Sequence, residues 1–466
     1  MFKRSIYSHL YIRDNIACIY NSIQVTMLFV KKDKVHIYYE TGKYGELTGK
    51  DLEIANTLIS MRNWVPENEE EIALSHKIFN HLDNGVEIKE MVLHLTDYCN
   101  LRCKYCFIED GICENYTRRN MSWDVASHAI DKFFKLPSVL KNINEEFTIV
   151  FYGGEPLLNW NIMKKCLTYI SEKYGSFKVK TVVITNGTQI TDEIAKTLKE
   201  YNTNVCVSID GPKHVNDMYR VSADGKGSFD EVVSKIEILR KHGIEPGVSS
   251  VMTRSSIDNL SDVAQFLFGD LKIKGAGFNH VSIIPSSGEY SSFDEDYENK
   301  YGSSLLKMAE IINEKYPEVY EKRMDAKIND FLERVIRKSS CTGTGNQISV
   351  STDGFIGICQ GYMGSRKTFN NTVFDQNYYP ENDSVFIEWS KRSPYNINEC
   401  IFCPALSTCG GGCPRNAEMM TGSIWGLDSG FCMFSKKAQE WLIWKYYDEN
   451  IIDLWSDDAD YHISCN

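Results

Sequence analysis

The stretch Leu95-Thr-Asp-Tyr-Cys-Asn-Leu-Arg-Cys-Lys-Tyr-Cys-Phe107 decides how the rest of the chain is read. It continues the apolar run Met91 to Leu95 and sets Cys99, Cys103 and Cys106 in a C-x3-C-x2-C arrangement. Three thiolates this close in sequence can hold three irons of a [4Fe–4S] cube, and thiolate-only ligation suits soft metal sites. The loop has no fourth cysteine, so one iron would be left for an exogenous ligand. The alternative is a zinc knuckle, which needs a fourth Cys or His. His94 is the nearest candidate, but it falls within an expected strand.

Outward from this loop, Glu90 to about Ser287 alternates strand and helix patterns. Expected strands are Met91 to Thr96, Phe147 to Tyr152, Val179 to Thr185, Asn204 to Ile209, Gly247 to Met252 and Phe278 to Ile284. Expected helices lie between them at about 122–136, 159–174, 191–201, 228–242 and 256–270. Repeated βα units imply a parallel sheet with right-handed crossovers, with chemistry gathered at the C-terminal strand ends. The motifs fall there. Tyr152-Gly-Gly-Glu-Pro156 follows the second strand, Thr185-Asn-Gly187 the third, and Ser208-Ile-Asp-Gly-Pro212 the fourth, with Arg220 beyond. Ile284-Pro-Ser-Ser-Gly288 follows the sixth. Taken singly, Gly-Gly-Glu-Pro is ordinary turn punctuation and Arg220 a surface charge; position gives them weight.

The cysteine spacing, with Tyr105 just before the last thiol, resembles the signature of the radical S-adenosylmethionine (SAM) enzymes. The resemblance implies an α/β fold built on a partial (β/α)6 barrel, in which the open iron chelates the amino and carboxylate groups of SAM. Gly153, Gly154 and Glu155 resemble the family's GGE motif, with backbone close to the ligand and a carboxylate for its ammonium group. Tyr105, Asn186, Ser208 and Asp210 would line the SAM site, and 284–288 would meet its adenine. Arg220 would take the SAM carboxylate, because a guanidinium fork donates two parallel hydrogen bonds.

A second pattern lies towards the C-terminus: Cys341, then Gly354 and Cys359, then Cys400-x2-Cys403-x5-Cys409-x3-Cys413, and finally Cys432. It resembles the SPASM domain of enzymes that modify ribosomally made peptides, which holds two auxiliary [4Fe–4S] clusters. By that pattern Cys341, Cys359 and Cys413 would bind the first, and Cys400, Cys403, Cys409 and Cys432 the second, giving three clusters with the SAM site. Some relatives carry a further cysteine between the first two positions; none lies between Cys341 and Cys359 here, so the first cluster would have an open iron. A zinc ribbon is the alternative for the C-x2-C pair. Cys166 and Cys206 read as buried thiols, while Cys113 is open between spare ligand, reactive thiol and inert loop residue. Cys18 and Cys465 complete the set.

Residues 1–88 read as a separate module. Val25 to Val30 and Val35 to Tyr39 suggest a hairpin. Thr48 suggests the cap of a helix through Ser60 with Leu52, Ala55, Leu58 and Ile59 on one face, and a second helix follows over 67–82. The order resembles the winged-helix-like recognition element of peptide-modifying enzymes, where a leader peptide adds to the sheet edge; a merely packed accessory domain is the alternative. The domains then run 1–88, 89–288 for the radical SAM core, 289–340 for bridging helices with an apolar stripe at Leu305, Leu306, Met308, Ile311 and Ile312, and 341–466 for the SPASM part. A formal net charge of -12 speaks against a nucleic-acid partner. No signal peptide or membrane span is evident, and 15 cysteines in such a chain fit metal ligation in a reducing cytoplasm.

The resemblance implies an oxidoreductase that uses a 5′-deoxyadenosyl radical to install a sulfur-to-carbon thioether crosslink in a cysteine-containing precursor peptide, as sactipeptide and ranthipeptide maturases do. A substrate thiol would bind the open auxiliary iron, and flavodoxin or ferredoxin would supply electrons. Alternatives are formylglycine formation, as in sulfatase maturases, a carbon–carbon crosslink, or a zinc-bound peptide-binding module without catalysis.

Overall fold

The computed structural model describes residues 1–110, 117–283, 289–290, 292, 294–455 and 459–463. Strand β1 (Phe2–Arg4) is followed by an antiparallel meander of β2 (Ser8–Arg13), β3 (Ile16–Asn21) and β4 (Thr26–Lys31). The expected partner of β4 is not a strand: Lys32–Lys34 forms a 3-10 turn and Val35–Tyr39 an α-helix. The reason is tertiary. β4 already pairs with β3, and Ile37 and Tyr38 instead join the apolar core formed with Ile54, Leu58 and Trp64, which overrides their β propensity. Helix Gly49–Ser60 starts at Thr48 as expected, but its buried face is Ile54, Ala55, Thr57 and Leu58. β5 (Trp64–Pro66) pairs with β1 and leads to helix Glu71–Leu82.

The central sheet consists of β6 (Glu90–His94), β7 (Glu146–Tyr152), β8 (Lys178–Thr185), β9 (Asn204–Ser208), β10 (Gly247–Val251) and β11 (Gly275–Asn279), all parallel and neighbours in chain order. Sequential order with right-handed crossovers keeps the helices on one face and leaves the other for a site. Burial alternates accordingly: on β9, Val205 and Val207 are buried while Cys206 and Ser208 are half-buried. Two sequence expectations shift. The sixth strand starts earlier than expected, and the helix expected at 256–270 is broken into Arg254–Asp258, Leu260–Ala264 and a π-turn at Gln265–Asp270.

β12 (Tyr320–Glu321) extends this sheet beyond β11. At the other edge β13 (Gln347–Val350) adds parallel to β6, with Gln347 opposite Glu90 and Val350 opposite Leu93. β14 (Phe355–Gly357) and β15 (Asn371–Thr372) follow antiparallel, so one mixed sheet joins the central and C-terminal parts. Helix Glu295–Lys315 buries Leu305, Met308, Ile311 and Ile312 and crosses helix Ser429–Asn450 closely: a Cβ on Gly302 would lie 2.8 Å from the Phe434 nitrogen. β16 (Tyr461–Ile463) returns to pair with β4, His462 opposite Phe29. Among the described residues no helix is long and apolar enough to cross a membrane.

Candidate active site

β6 delivers the chain to the cysteine loop, and two neighbours hold that loop. In front, Arg102 N–H donates to Val221 O at 2.6 Å and Lys104 N–H to Tyr219 O at 3.0 Å. Behind, the Gly153-Gly154-Glu155 turn after β7 packs on it: Gly154 N–H donates to Thr96 O at 2.8 Å and Glu155 N–H to Tyr98 O at 2.9 Å. The glycines are required by this contact. A Cβ on Gly154 would lie 2.3 Å from Tyr98 O, and one on Gly153, whose φ is +138, would lie 2.5 Å from Thr96 O. The close approach expected of a ligand is, on this side, an approach of the loop itself.

Glu155 also holds the site together from within. Its carboxylate is fully buried and accepts from Leu157 N–H at 3.0 Å, Thr185 Oγ1 at 2.7 Å and Asn186 N–H at 2.7 Å. Burial pushes its pKa up to about 7 against those three donors. Within the protein this carboxylate braces two strand ends. Asn186 then reaches the loop, its Nδ2 lying 3.0 Å from Asn100 Oδ1 and 3.8 Å from Cys99 Sγ.

Across the loop, Asp210 is buried and accepts from the Tyr105 hydroxyl, from Arg220 Nη2 at 3.1 Å and from Val251 N–H at 2.9 Å. It orients those two side chains from within the protein. The Arg220 guanidinium lies 5.4 Å from the Tyr105 ring centroid, and its buried Nε has no hydrogen-bond partner among the described residues. Its charge acts on Cys103 and Cys106, lowering their pKa values, yet burial wins and pushes Cys103 up to about 12 and Cys99 to about 11. Ser208 ends β9 in register with Ser249. His94 bonds Ser349 Oγ at 3.0 Å and stands edge-on to Tyr152, with burial lowering its pKa to about 3. Residues 284–288, Cys113 and Cys465 lie outside the described residues.

The C-terminal cysteines fall into two electrostatic groups. After burial, Cys413 and Cys359 act to raise the pKa of Cys341, and Cys413 that of Cys359; separately, Cys409 acts on Cys400, Cys403 and Cys432. Burial dominates in both, pushing Cys359 and Cys400 up to about 12. β13 and β14 carry the chain from Cys341 to Cys359, and Cys413 caps helix Pro414–Thr421. Gly410, Gly411 and Gly412 connect the groups with φ of 73, 83 and 67, a run of left-handed turns open to glycine. Among the described residues no three His, Cys, Asp or Glu side chains are arranged for a single metal ion. Cys18 and Cys166 are core thiols, whereas Cys206, expected buried, is half-buried on the site-facing side of β9.

The Radical SAM superfamily model matches residues 93–267, the segment that carries this loop and the strand-end motifs. The chain is a radical SAM enzyme. It is 27% identical over 393 residues to the radical SAM cyclopropyl synthase TigE of Paramaledivibacter caminithermalis, covering 78% of this chain and 76% of that one. A cysteine-type anaerobic sulfatase-maturating enzyme of Clostridium novyi is 26% identical over 355 residues, 69% of this chain and 86% of the relative. Among solved structures, native anSMEcpe with bound AdoMet superposes with a TM-score of 0.63 at 22% identity, over 78% of this chain and 98% of that chain. Streptococcus suis SuiB bound to precursor peptide SuiA does so with a TM-score of 0.55 at 15% identity, over 93% and 100%. Both structural likenesses speak for the fold.

Three residues of this radical SAM enzyme escaped sequence reading. Tyr152, immediately before the Gly-Gly-Glu turn, interacts electrostatically with Cys106 of the loop, Arg220, Cys206 and Cys359 of the Cys341 group. Arg415 lies 5.6 Å from the Phe107 ring and 5.8 Å from that of Tyr362, with its buried Nε unpartnered. Arg323 donates from Nη2 to Asn279 Oδ1 at 2.9 Å, at the end of β11. Tyr152 was readable from its place at a strand end; the arginines follow from long-range packing.

Proposed function

We propose that this radical SAM enzyme is a peptide maturase that joins a substrate cysteine sulfur to carbon. The residues present fit a SAM-bearing cluster. Cys99, Cys103 and Cys106 interact with one another, and Arg220 offers beside them a buried Nε that has no partner among the described residues. When bound, the cluster and SAM supply a radical that abstracts hydrogen. Arg220 would hold the SAM carboxylate. Asp210 and Tyr105 fix the guanidinium, and the Gly153–Glu155 turn and Asn186 keep the cysteine loop rigid, because a site must be ordered before its ligand arrives. Iron would displace the protons that burial keeps on these thiols.

The observation that carries the sulfur reading is a count. Among the described residues, the group containing Cys359, which acts on Tyr152, has three thiols, Cys341, Cys359 and Cys413, against four in the other. That leaves room for a fourth sulfur donor, and a substrate cysteine is the donor we assign. We read residues 1–88 as the leader-binding module, 89–288 as the core, 289–340 as the bridge and 341–466 as a SPASM part holding two further [4Fe–4S] clusters. The β4 edge is taken by β16, and β2 pairs only with β3 among the described residues, so β2 offers the leader an edge. A small ferredoxin or flavodoxin would supply electrons.

A second reading, carbon–carbon bond formation, is favoured by the likeness to a cyclopropyl synthase. Both reactions remove two hydrogens from the peptide. Anaerobic turnover with a cysteine-containing precursor peptide encoded beside this chain, followed by iodoacetamide, separates them. A product short of two hydrogens and blocked to alkylation supports the thioether. A product that still alkylates means a carbon–carbon bond, and one that has lost its sulfur means formylglycine.

A further inference from the structure

Two buried cations stand against the C-terminal cysteine groups, and among the described residues neither has a carboxylate within ion-pair distance. Lys327, on helix Lys322–Leu332, is 4% exposed and donates to Thr408 O at 3.0 Å, the carbonyl just before Cys409. Its Nζ lies 5.3 Å from the Phe431 ring and 5.5 Å from that of Phe434, residues that flank Cys432. Arg392 is 0% exposed, and all its donors go to carbonyls: Gly411 at 2.6 Å, Gly412 at 3.4 Å, Gly426 at 3.1 Å, and Ile424. Gly411 and Gly412 lie in the link between the two groups, so Arg392 sits at their junction. Among the described residues neither cation forms an ion pair, and the nearby Asp330 is engaged by Arg337.

A buried charge without a counter-charge costs several kcal/mol. Cysteine sulfur is a source of negative charge within reach of both: Lys327 interacts with Cys409 and Cys403 as well as with Asp330, and Arg392 with Cys341 and Cys400, while the buried Asp428 carboxylate acts on Cys413 and Cys432. Protonated thiols would not balance these cations; thiolates on iron would.

We propose that Lys327 and Arg392 are positioning residues, fixed counter-charges that set the reduction potentials of the iron–sulfur clusters held by the C-terminal cysteines, Lys327 acting on the Cys400–Cys432 group and Arg392 on both. This rests on the reading of that region as cluster-bearing. One-electron reduction adds a negative charge to a cluster, and a buried cation stabilises the reduced form because little water is present to screen it. Cations at both groups would hold them ready to accept the electron released when the product bond closes.

The test uses the full-length chain with Cys99, Cys103 and Cys106 changed to Ala, so that only C-terminal signals remain. Iron and sulfide are measured, then midpoint potentials by redox titration followed by electron paramagnetic resonance. K327M should make reduction of one cluster about tenfold less favourable, ~59 mV for one electron, and leave the other in place. K327R should leave both unchanged. R392M should lower both potentials and R392K neither. A K327M protein that loses its iron while K327R keeps it also supports the counter-charge. Unchanged potentials in K327M and R392M with full iron overturn the proposal, as does an equal shift in K327R, which would make packing the cause. A parent protein with no iron in this region overturns the cluster reading first, an outcome recognisable before any variant is compared.

Discussion

The cysteine loop after β6 and the C-terminal cysteine groups make an instructive pair. The loop is contiguous, and its neighbours are backbone: the Gly153–Glu155 turn behind and the 219–222 segment in front. One charged side chain beside it, Arg220, keeps a donor without a protein partner. The C-terminal groups are gathered from Cys341 to Cys432 by a strand addition, a three-glycine link and a long helix, and their buried cations donate to protein carbonyls. The first arrangement suits a ligand that comes and goes. The second suits groups that stay, with a set of three thiols beside a set of four as its one departure.

The sharpest way to break that comparison is to remove one set of thiols at a time. Changing Cys99, Cys103 and Cys106 together to Ala should abolish 5′-deoxyadenosine formation with dithionite while C-terminal iron remains; undiminished SAM cleavage would end the distinction. The reverse variant, Cys341, Cys359 and Cys413 to Ala, should still cleave SAM but yield no modified peptide by mass spectrometry.

Next in size is the fit between turn and loop. Gly154→Ala drives a methyl into Tyr98 O, and such overpacking costs about 1–3 kcal/mol or more. A lower Tm and weaker SAM binding should appear together, whereas a Tm equal to the parent's would show that the turn yields. Arg220→Ala should weaken SAM binding by roughly 10- to 100-fold by calorimetry, since a charged hydrogen bond contributes about 1.5–3 kcal/mol. Arg220→Lys should recover only part of this, lacking the planar fork.

The smallest expected effect concerns the N-terminal residues 1–88. Asp460 lies 3.6 Å from Lys31 and 3.5 Å from Lys50, partly exposed pairs worth about 0–1 kcal/mol each. Truncation after Trp455 removes β16 while keeping the buried Ile451, and should change stability little. If the leader uses β2, precursor affinity measured by fluorescence anisotropy should stay within about twofold, since under 0.4 kcal/mol is at stake. A clear gain would move the leader to the β4 edge.

The sequence alone determined the elements whose signal is local. Six βα units were legible because apolar runs alternate with helical periodicity, and the cysteine loop, the Gly-Gly-Glu turn and Arg220 were legible because chemistry sits at strand ends. Val35–Tyr39 was misread because its β-formers are claimed by a core they share with a distant helix. Glu155 and the glycines were identified, but their neighbours were not. A carboxylate's role depends on whether burial and three donors engage it, and no sequence window contains Thr185 and Glu155 together. Tertiary structure alone decided that β13 docks on β6, that β16 covers β4, and that Arg392 and Lys327 lie against sulfur. Each of these is a pairing between segments far apart in the chain. Strand pairing and burial are settled by which surfaces remain unsatisfied once the core has closed.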